Sequence, residues 1–339
     1  MSRLSRQFST SKTALFRASV RKVEGCVPAA RRTAAWSISA LDPVLMHPLD
    51  DFLEIVSPAA PLAPLTWFRL GGPADFLVRP RSEDELVKVV ARCVEAGLNW
   101  RVLGSGSNVL VVDQGVRDVV ILLESPAFSD VVVDHASVKA GAAVPLTALI
   151  SQIARAGLSG MEVLTGIPGT IGGAVRGNSG TRQGNIANFL RKATVLDAQG
   201  RIQVRERDEL IVAPGVCQLD APLLLSAEFV LTQDEPEAVV RRMRRLWIVK
   251  KEQQPYGHQS SGLIFKNPTG EVSATMLLDQ AGLKGTKVGA AEFSERNANF
   301  IVAQPGCSAD DVLRLIDVAR NRVREVFGHD LETQIQIWS

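Results

Sequence analysis

Apolar residues recur at helical spacing in several stretches of the chain. SEDELVKVVARCVEAG places Ser82 as an N-cap with Glu85 three residues on, the arrangement of a capping box, and Gly97 as the stop. PLTALISQIARAG repeats the period, as does the strongly basic VVRRMRRLWIVKK after Asp234. SADDVLRLIDVARNRVREVFG has Ser308 as its cap and Asp310 and Asp311 in a first turn where the helix dipole favours negative charge. Between the helices the pattern predicts strands at WRVLG, at the apolar run after GSGSN, from VVILL through VVVDHASVKAGAAV, at KATVLDAQGRIQVRER and at PLLLSAEFVL. The tail LETQIQIW alternates apolar and polar residues, as a half-buried strand does. The fold class is therefore α+β with a β-rich middle.

Composition changes this picture little. The chain of 339 residues is 46% hydrophobic, enough for a sizeable core. Its 38 Lys+Arg against 36 Asp+Glu leave a net charge of +2, which argues against a dedicated nucleic-acid partner. The bases of the helix after Asp234 read either as a solvated face or as a device that gathers anionic substrates. Cys26, Cys93, Cys217 and Cys307 form no CxxC pair, and His47, His135, His258 and His329 show no paired spacing, so neither a disulfide framework nor a metal site is expected. No apolar run approaches the roughly 20 residues that span a bilayer, so no membrane partner is expected. Residues 1–41 carry eight Lys or Arg and a single acid, Glu24. That bias reads either as a disordered basic extension, which leaves the protein cytoplasmic, or as an organellar transit peptide.

Candidate chemistry comes from glycine. GIPGTIGGAVRGNSG, residues 166–180, and GSGSN, residues 104–108, are small-residue loops that let a ligand approach the backbone. Neither fits the dinucleotide fingerprint GxGxxG between a strand and a helix, and tight turns are the competing explanation.

The order of these loops, with their neighbours, carries a resemblance. TWFRLGGPADFLVRPRSEDEL, RVLGSGSNVLVVDQGV, GLSGMEVLTGIPGTIGGAVRGNSG, GLIFKNPTG and AGLKGTKVGAAEFSERNANFIV occur in the order seen in the UDP-N-acetylenolpyruvoylglucosamine reductases, the MurB flavoproteins. The chain resembles the shorter class of that family over about residues 50–339. The resemblance implies a vanillyl-alcohol-oxidase-type, PCMH-like FAD-binding fold of two subdomains plus a C-terminal α+β substrate-binding domain. The boundaries it implies are a basic leader over 1–45, an FAD-binding domain over 46–232 divided near 115, a substrate-binding domain over 233–326, and a C-terminal strand over 327–339 returning toward the FAD domain. Noncovalent FAD would be lined by Arg69, Gly71, Gly104, Ser105, Gly106, Ser107, Asn108, Gly166, Pro168, Gly169, Thr170, Gly172, Gly173, Ala174 and Asn178. Lys251 and Asn267 match positions that grip the nucleotide sugar, and Tyr256 lies close by. The implied reaction uses NADPH to reduce the flavin, which then reduces UDP-N-acetylglucosamine enolpyruvate to UDP-N-acetylmuramate for peptidoglycan.

The chain departs from the family at three positions that matter. Where the family has a proton-donating serine in its GS-hydrophobe-FKNP block, this chain has Leu263. Its glutamate position in the last strand reads Gln334, and the arginine of a YR-x-S string falls on Pro214 and Gly215. Candidate compensators are Ser260 or Ser261, Glu332, and Arg176 or Arg182. Two readings follow: a reductase that uses displaced groups, or an FAD-binding homologue whose catalysis has diverged.

Overall fold

The β-rich middle and its flanking helices form three layered units around a shared seam. A computed structural model describes residues 48–213, 216–217, 222–255, 257, 259–268 and 272–339, with the side chains of 211–213 and 216–217 left aside. The basic leader, His47, Pro214, Gly215, Tyr256 and His258 lie outside the described residues. Residues from Met46 onward group into one compact unit.

The first layer is a four-stranded sheet built from β1 (Val56–Pro61), β2 (Pro73–Val78), β3 (Trp100–Leu103) and β5 (Val116–Leu122), with β4 (Val109–Val111) beside it. β5 runs parallel to both β2 and β3, and its residues are buried except Arg117. A continuous Val/Ile/Leu run is what a parallel strand covered on both faces requires. The helix α1 (Glu83–Glu95) covers this sheet with Leu86, Val89, Val90 and Cys93, all fully buried. Ser82 Oγ accepts from Glu85 N as expected, but the Glu85 carboxylate accepts from Arg81 N and pairs with the Arg81 side chain, so the reciprocal half of the capping box is displaced by one residue.

The second layer is an antiparallel sheet in the order β9-β8-β10-β7-β6, with β6 (Val131–Asp134), β7 (Ser137–Gly141), β8 (Leu190–Leu196), β9 (Ile202–Glu206) and β10 (Leu223–Val230). Helices α2 (Leu146–Arg155) and α3 (Ile171–Arg176) pack their apolar faces into the same core as β7, β8 and β10. The basic helix α4 (Pro236–Gln253) lies against α2 and is anchored by Arg242, which pairs with the buried Glu162 at 3.0 Å and with Asp234 at 2.6 Å.

The third layer is a small sheet of β11 (Lys287–Val288), β12 (Ala291–Phe293) and β13 (Ile301–Ala303), packed on α5 (Ala274–Gln280) and α6 (Ala309–Phe327). Here the reciprocal capping box forms: Ser308 Oγ accepts from Asp311 N while the Asp311 carboxylate accepts from Ser308 N. Asp113, just past β4, accepts from Ala309 N and Asp310 N as well, so the first layer supplies part of the third layer's helix cap.

The tail differs from simple alternation. Only Gln336–Trp338 form a strand, β14, which runs parallel to β4, while Thr333 bridges Phe265. Leu331, Ile335 and Trp338 are buried and Ile337 is exposed. The tail exchanges one partner for another between Thr333 and Gln336, and that exchange interrupts the period of two.

Candidate functional site

The two glycine loops meet. A Cβ placed on Gly104 would stand 3.0 Å from Thr170 Oγ1, and one on Gly169 would stand 3.5 Å from Ser107 Oγ. Loop 104–108 connects β3 to β4, and loop 166–170 leads into α3, where Thr170 Oγ1 accepts from Gly173 N at 3.4 Å. Backbone pairing fixes the second loop against the second sheet: Leu146 N donates to Gly169 O at 2.9 Å, and Ile171 N to Val144 O at 2.9 Å.

Glycines of this region divide into two kinds. Gly71, Gly72 and Gly106 are packed on protein; a Cβ at Gly106 would collide with the carbonyl of Leu65, and one at Gly71 with Val111. Gly169 and Gly173 instead look onto open space, the nearest atoms being Ser107 Oγ and, at 3.7 Å, Thr170 Oγ1. Packing explains the first kind, whereas little in the fold crowds the second. Gly169 also has φ +128°, a conformation that side chains resist, but Gly173 sits in helix.

Polar groups of these loops and of the segment after α3 lack protein partners. Among the described residues, the backbone N–H groups of Ser105, Gly106, Ser107, Gly169 and Thr170 find no protein acceptor. Ser105 Oγ and Asn178 Nδ2 are buried without a hydrogen bond, although Asn178 Oδ1 accepts from Ala187 N at 3.3 Å. Buried donors are normally satisfied, so unpaired ones on two loops that meet suit a ligand that accepts hydrogen bonds. Successive unpaired amides in a small-residue turn suit phosphate oxygens, and the open glycines suit a flat ring. The residues present therefore fit FAD. Arg69, with φ 57°, turns its guanidinium back onto the carbonyl of Pro64.

Two of the three substituted family positions, Leu263 and Gln334, lie beside the same loop. Gly262 N donates to Ser107 O at 2.9 Å, Asn108 Nδ2 to Gln334 O at 3.0 Å, and Gln334 N to Ile264 O at 2.7 Å. Leu263 and Gln334 thus lie on two irregular segments that are hydrogen-bonded to each other and to GSGSN, and Leu263 is 41% exposed. Asn299, fully buried, holds this segment from behind: its Oδ1 accepts from Phe265 N at 2.8 Å and its Nδ2 donates to Phe265 O at 2.9 Å.

Three of the five candidate compensators have another engagement. Ser261 is buried with Oγ donating to Gly262 O at 2.9 Å, Glu332 is exposed and pairs with Lys266 at 3.1 Å, and Arg176 donates to Pro222 O at 2.9 Å. Asn267 Oδ1 accepts from Ala274 N, and Lys251 is exposed with its carbonyl accepting from Arg296. Sequence reasoning passed over Asn299, Arg296 and Lys250. Lys250 Nζ is buried without a partner, and burial pushes its ammonium down to about 8. Among the described residues no group of His, Cys, Asp and Glu is arranged to hold a metal, and no helix is long and apolar enough to cross a membrane.

An α+β fold of this layout, with paired small-residue loops around a donor-lined concavity, is that of an FAD-binding protein. Residues 74–205 match the family described as FAD binding domain, and residues 254–338 match UDP-N-acetylenolpyruvoylglucosamine reductase, C-terminal domain. The UDP-N-acetylenolpyruvoylglucosamine reductase of Heliobacterium modesticaldum is 38% identical over 82% of this chain and 88% of its own length. The enzyme of that name from Bacillus subtilis is 36% identical over 82% and 92%. The crystal structure of UDP-N-acetylenolpyruvylglucosamine reductase (MurB) from Thermus caldophilus superposes with a TM-score of 0.71 at 36% identity, covering 83% of this chain and 98% of that one. The chain belongs to the UDP-N-acetylenolpyruvoylglucosamine reductase family.

Proposed function

We propose that the protein is an FAD-dependent, NADPH-using reductase that converts UDP-N-acetylglucosamine enolpyruvate to UDP-N-acetylmuramate, a cytoplasmic step of peptidoglycan precursor synthesis. The observation that supports this reading is the meeting of Gly169 with Ser107, which brings the two glycine loops together, with the Gln334 backbone tied to Asn108 of the first. When bound, FAD supplies the hydride chemistry, taking a hydride from NADPH and passing it to the enolpyruvyl double bond.

The chain's own residues then bind, orient and exclude water. Amides of Ser105–Ser107 and of Gly169–Thr170 hold the phosphates, and the buried Ser105 hydroxyl and Asn178 amide supply further donors. Lys251 and Asn267 lie on the segment assigned to the sugar nucleotide. Leu263 offers an apolar face that excludes water but carries no proton, and Gln334 offers an amide that hydrogen-bonds without exchanging one at neutral pH. Proton delivery to the substrate carbon is therefore the weak step of this enzyme, since a positioned general acid contributes roughly 10²- to 10⁴-fold. Ser261, Glu332 and Arg176 are engaged elsewhere, which counts against each of them as a displaced general acid.

Multiple-turnover assays of the purified yellow protein with NADPH and the enolpyruvyl sugar, read by mass spectrometry, test this function. UDP-N-acetylmuramate accumulating in proportion to NADPH consumed is the expected result. A flavin-loaded protein that consumes NADPH only by passing electrons to oxygen contradicts it.

A further inference from the structure

We propose that Asn299 is a positioning residue for hydride transfer, its side chain standing in for a strand and thereby fixing how residues 261–263 reach the flavin loop. Residues 259–266 run antiparallel beside β13 and the turn before it. At one end Ala303 N donates to Gln259 O at 2.8 Å and Ser260 bridges Val302; at the other Ile264 N donates to Asn299 O at 3.0 Å. Between these ends the chain leaves its partner, and Gly262 N turns to Ser107 O at 2.9 Å instead. Ser261, Gly262 and Leu263 thus form a short excursion that meets the first glycine loop.

The far end of that excursion depends on one side chain. Asn299 Oδ1 accepts from Phe265 N at 2.8 Å and Nδ2 donates to Phe265 O at 2.9 Å, so its amide makes the double exchange that a facing residue makes in an antiparallel ladder. Asn299 is fully buried, where water does not replace these bonds. The opposite edge is held by backbone: Gln334 N donates to Ile264 O at 2.7 Å and Lys266 N to Glu332 O at 2.9 Å. Asn299 is itself anchored, because its N–H donates to Asn297 Oδ1 at 2.9 Å and Arg296 donates to the carbonyls of Lys251 and Gln254 at the end of α4, both at 3.2 Å. The excursion is therefore placed at the flavin loop by a side chain that no ligand need touch. A displacement of about 1 Å at a reacting centre costs roughly 10²-fold in rate, the scale on which such a clamp acts.

This inference rests on the reductase reading, which makes the Ser107 loop part of the flavin site. Anaerobic stopped-flow of FAD-loaded Asn299→Ala and Asn299→Asp, with each half-reaction followed separately, tests it. At pH 8 both variants should slow reoxidation by the enolpyruvyl sugar by about tenfold to 10²-fold, as a fall in the limiting rate and not as a rise in the sugar concentration needed. Flavin retention and reduction by NADPH should stay within about twofold of wild type. Burial favours the protonated form of the new carboxyl in Asn299→Asp, since Arg296 is turned to α4, Lys266 is paired with Glu332, and Asp279 with Lys284. A protonated carboxyl offers one acceptor and one donor, as the asparagine amide does here. Reoxidation in Asn299→Asp should therefore recover toward wild type as pH falls from 8 to 6, whereas Asn299→Ala should stay slow. Folded variants that reoxidise within about twofold of wild type at both pH values overturn the proposal, as does an Asn299→Asp that stays slow at pH 6. Flavin affinity and both half-reactions falling together also overturn it, because that is the mark of a purely structural role. Amide exchange in the wild type needs no variant to fold: Gly262, Ile264 and Phe265 should open as one unit, and Phe265 exchanging independently of the other two overturns the proposal. A wild type that passes no hydride to the sugar removes the reductase function, and the exchange measurement then still decides the clamp.

Discussion

Asn108 donates its side-chain amide to the backbone carbonyl of Gln334 at 3.0 Å, joining the first glycine loop to the segment just before the last strand. Gln336 N returns a bond to Asn108 O at 3.0 Å, and Gly262 N reaches the neighbouring Ser107 O. The floor of the concavity and its catalytic rim are therefore one hydrogen-bonded piece, so residues placed at 263 and 334 are held in register with the flavin loop. Replacing Leu263→Ser and Gln334→Glu together should speed reoxidation of the reduced flavin by the enolpyruvyl sugar by roughly 10²- to 10⁴-fold. Stopped-flow absorbance checks this, with flavin reduction by NADPH expected to stay the same.

Glycine substitutions should sort by what faces the missing side chain. Gly173→Leu adds bulk in open space without a backbone penalty, so the protein should fold and purify colourless. Gly106→Leu, whose new side chain meets the Leu65 carbonyl at φ 65°, should fail to fold stably. Flavin absorbance and circular dichroism of both variants read the difference.

Asn299→Ala should cost about 2 to 5 kcal/mol of stability, because it strands the Phe265 N–H and C=O in a buried site. Chemical denaturation measures the loss. Asn299→Asp should cost at least as much at neutral pH, because it buries an unpaired carboxylate against the Phe265 carbonyl.

Lys250 gives a stability prediction with a definite sign. Its pKa is about 8 in the fold against 10.5 for an ordinary lysine, so between those values the unfolded chain binds more protons. Stability of the ligand-free protein should rise as pH increases from 8 to 10.5. Lys250→Met should raise the melting temperature at pH 7, where the cost of the buried ammonium is fully present, and the gain should shrink toward pH 10.5.

The elements were legible where one period ran uninterrupted. The Ser82 and Ser308 helices and the Val116–Leu122 strand carry their burial pattern in the sequence. The glycine loops were legible as a pair only through their company, because a turn glycine such as Gly106 and a ligand-facing one such as Gly173 are the same letter. Lys250 was hidden among the bases of α4, most of which are solvated, and only the burial of its Nζ in the fold separates it from them. Thr333 to Gln336 broke the alternation because the tail changes partner there, which no local pattern announces.

The anaerobic half-reactions of the bound flavin test the central claim most directly. With wild type, NADPH should bleach the flavin absorption band rapidly, and the enolpyruvyl sugar should restore it stoichiometrically but far more slowly, through a rim that holds Leu263 and Gln334. Reoxidation as fast as reduction, or a purified protein with no flavin to bleach, contradicts the account.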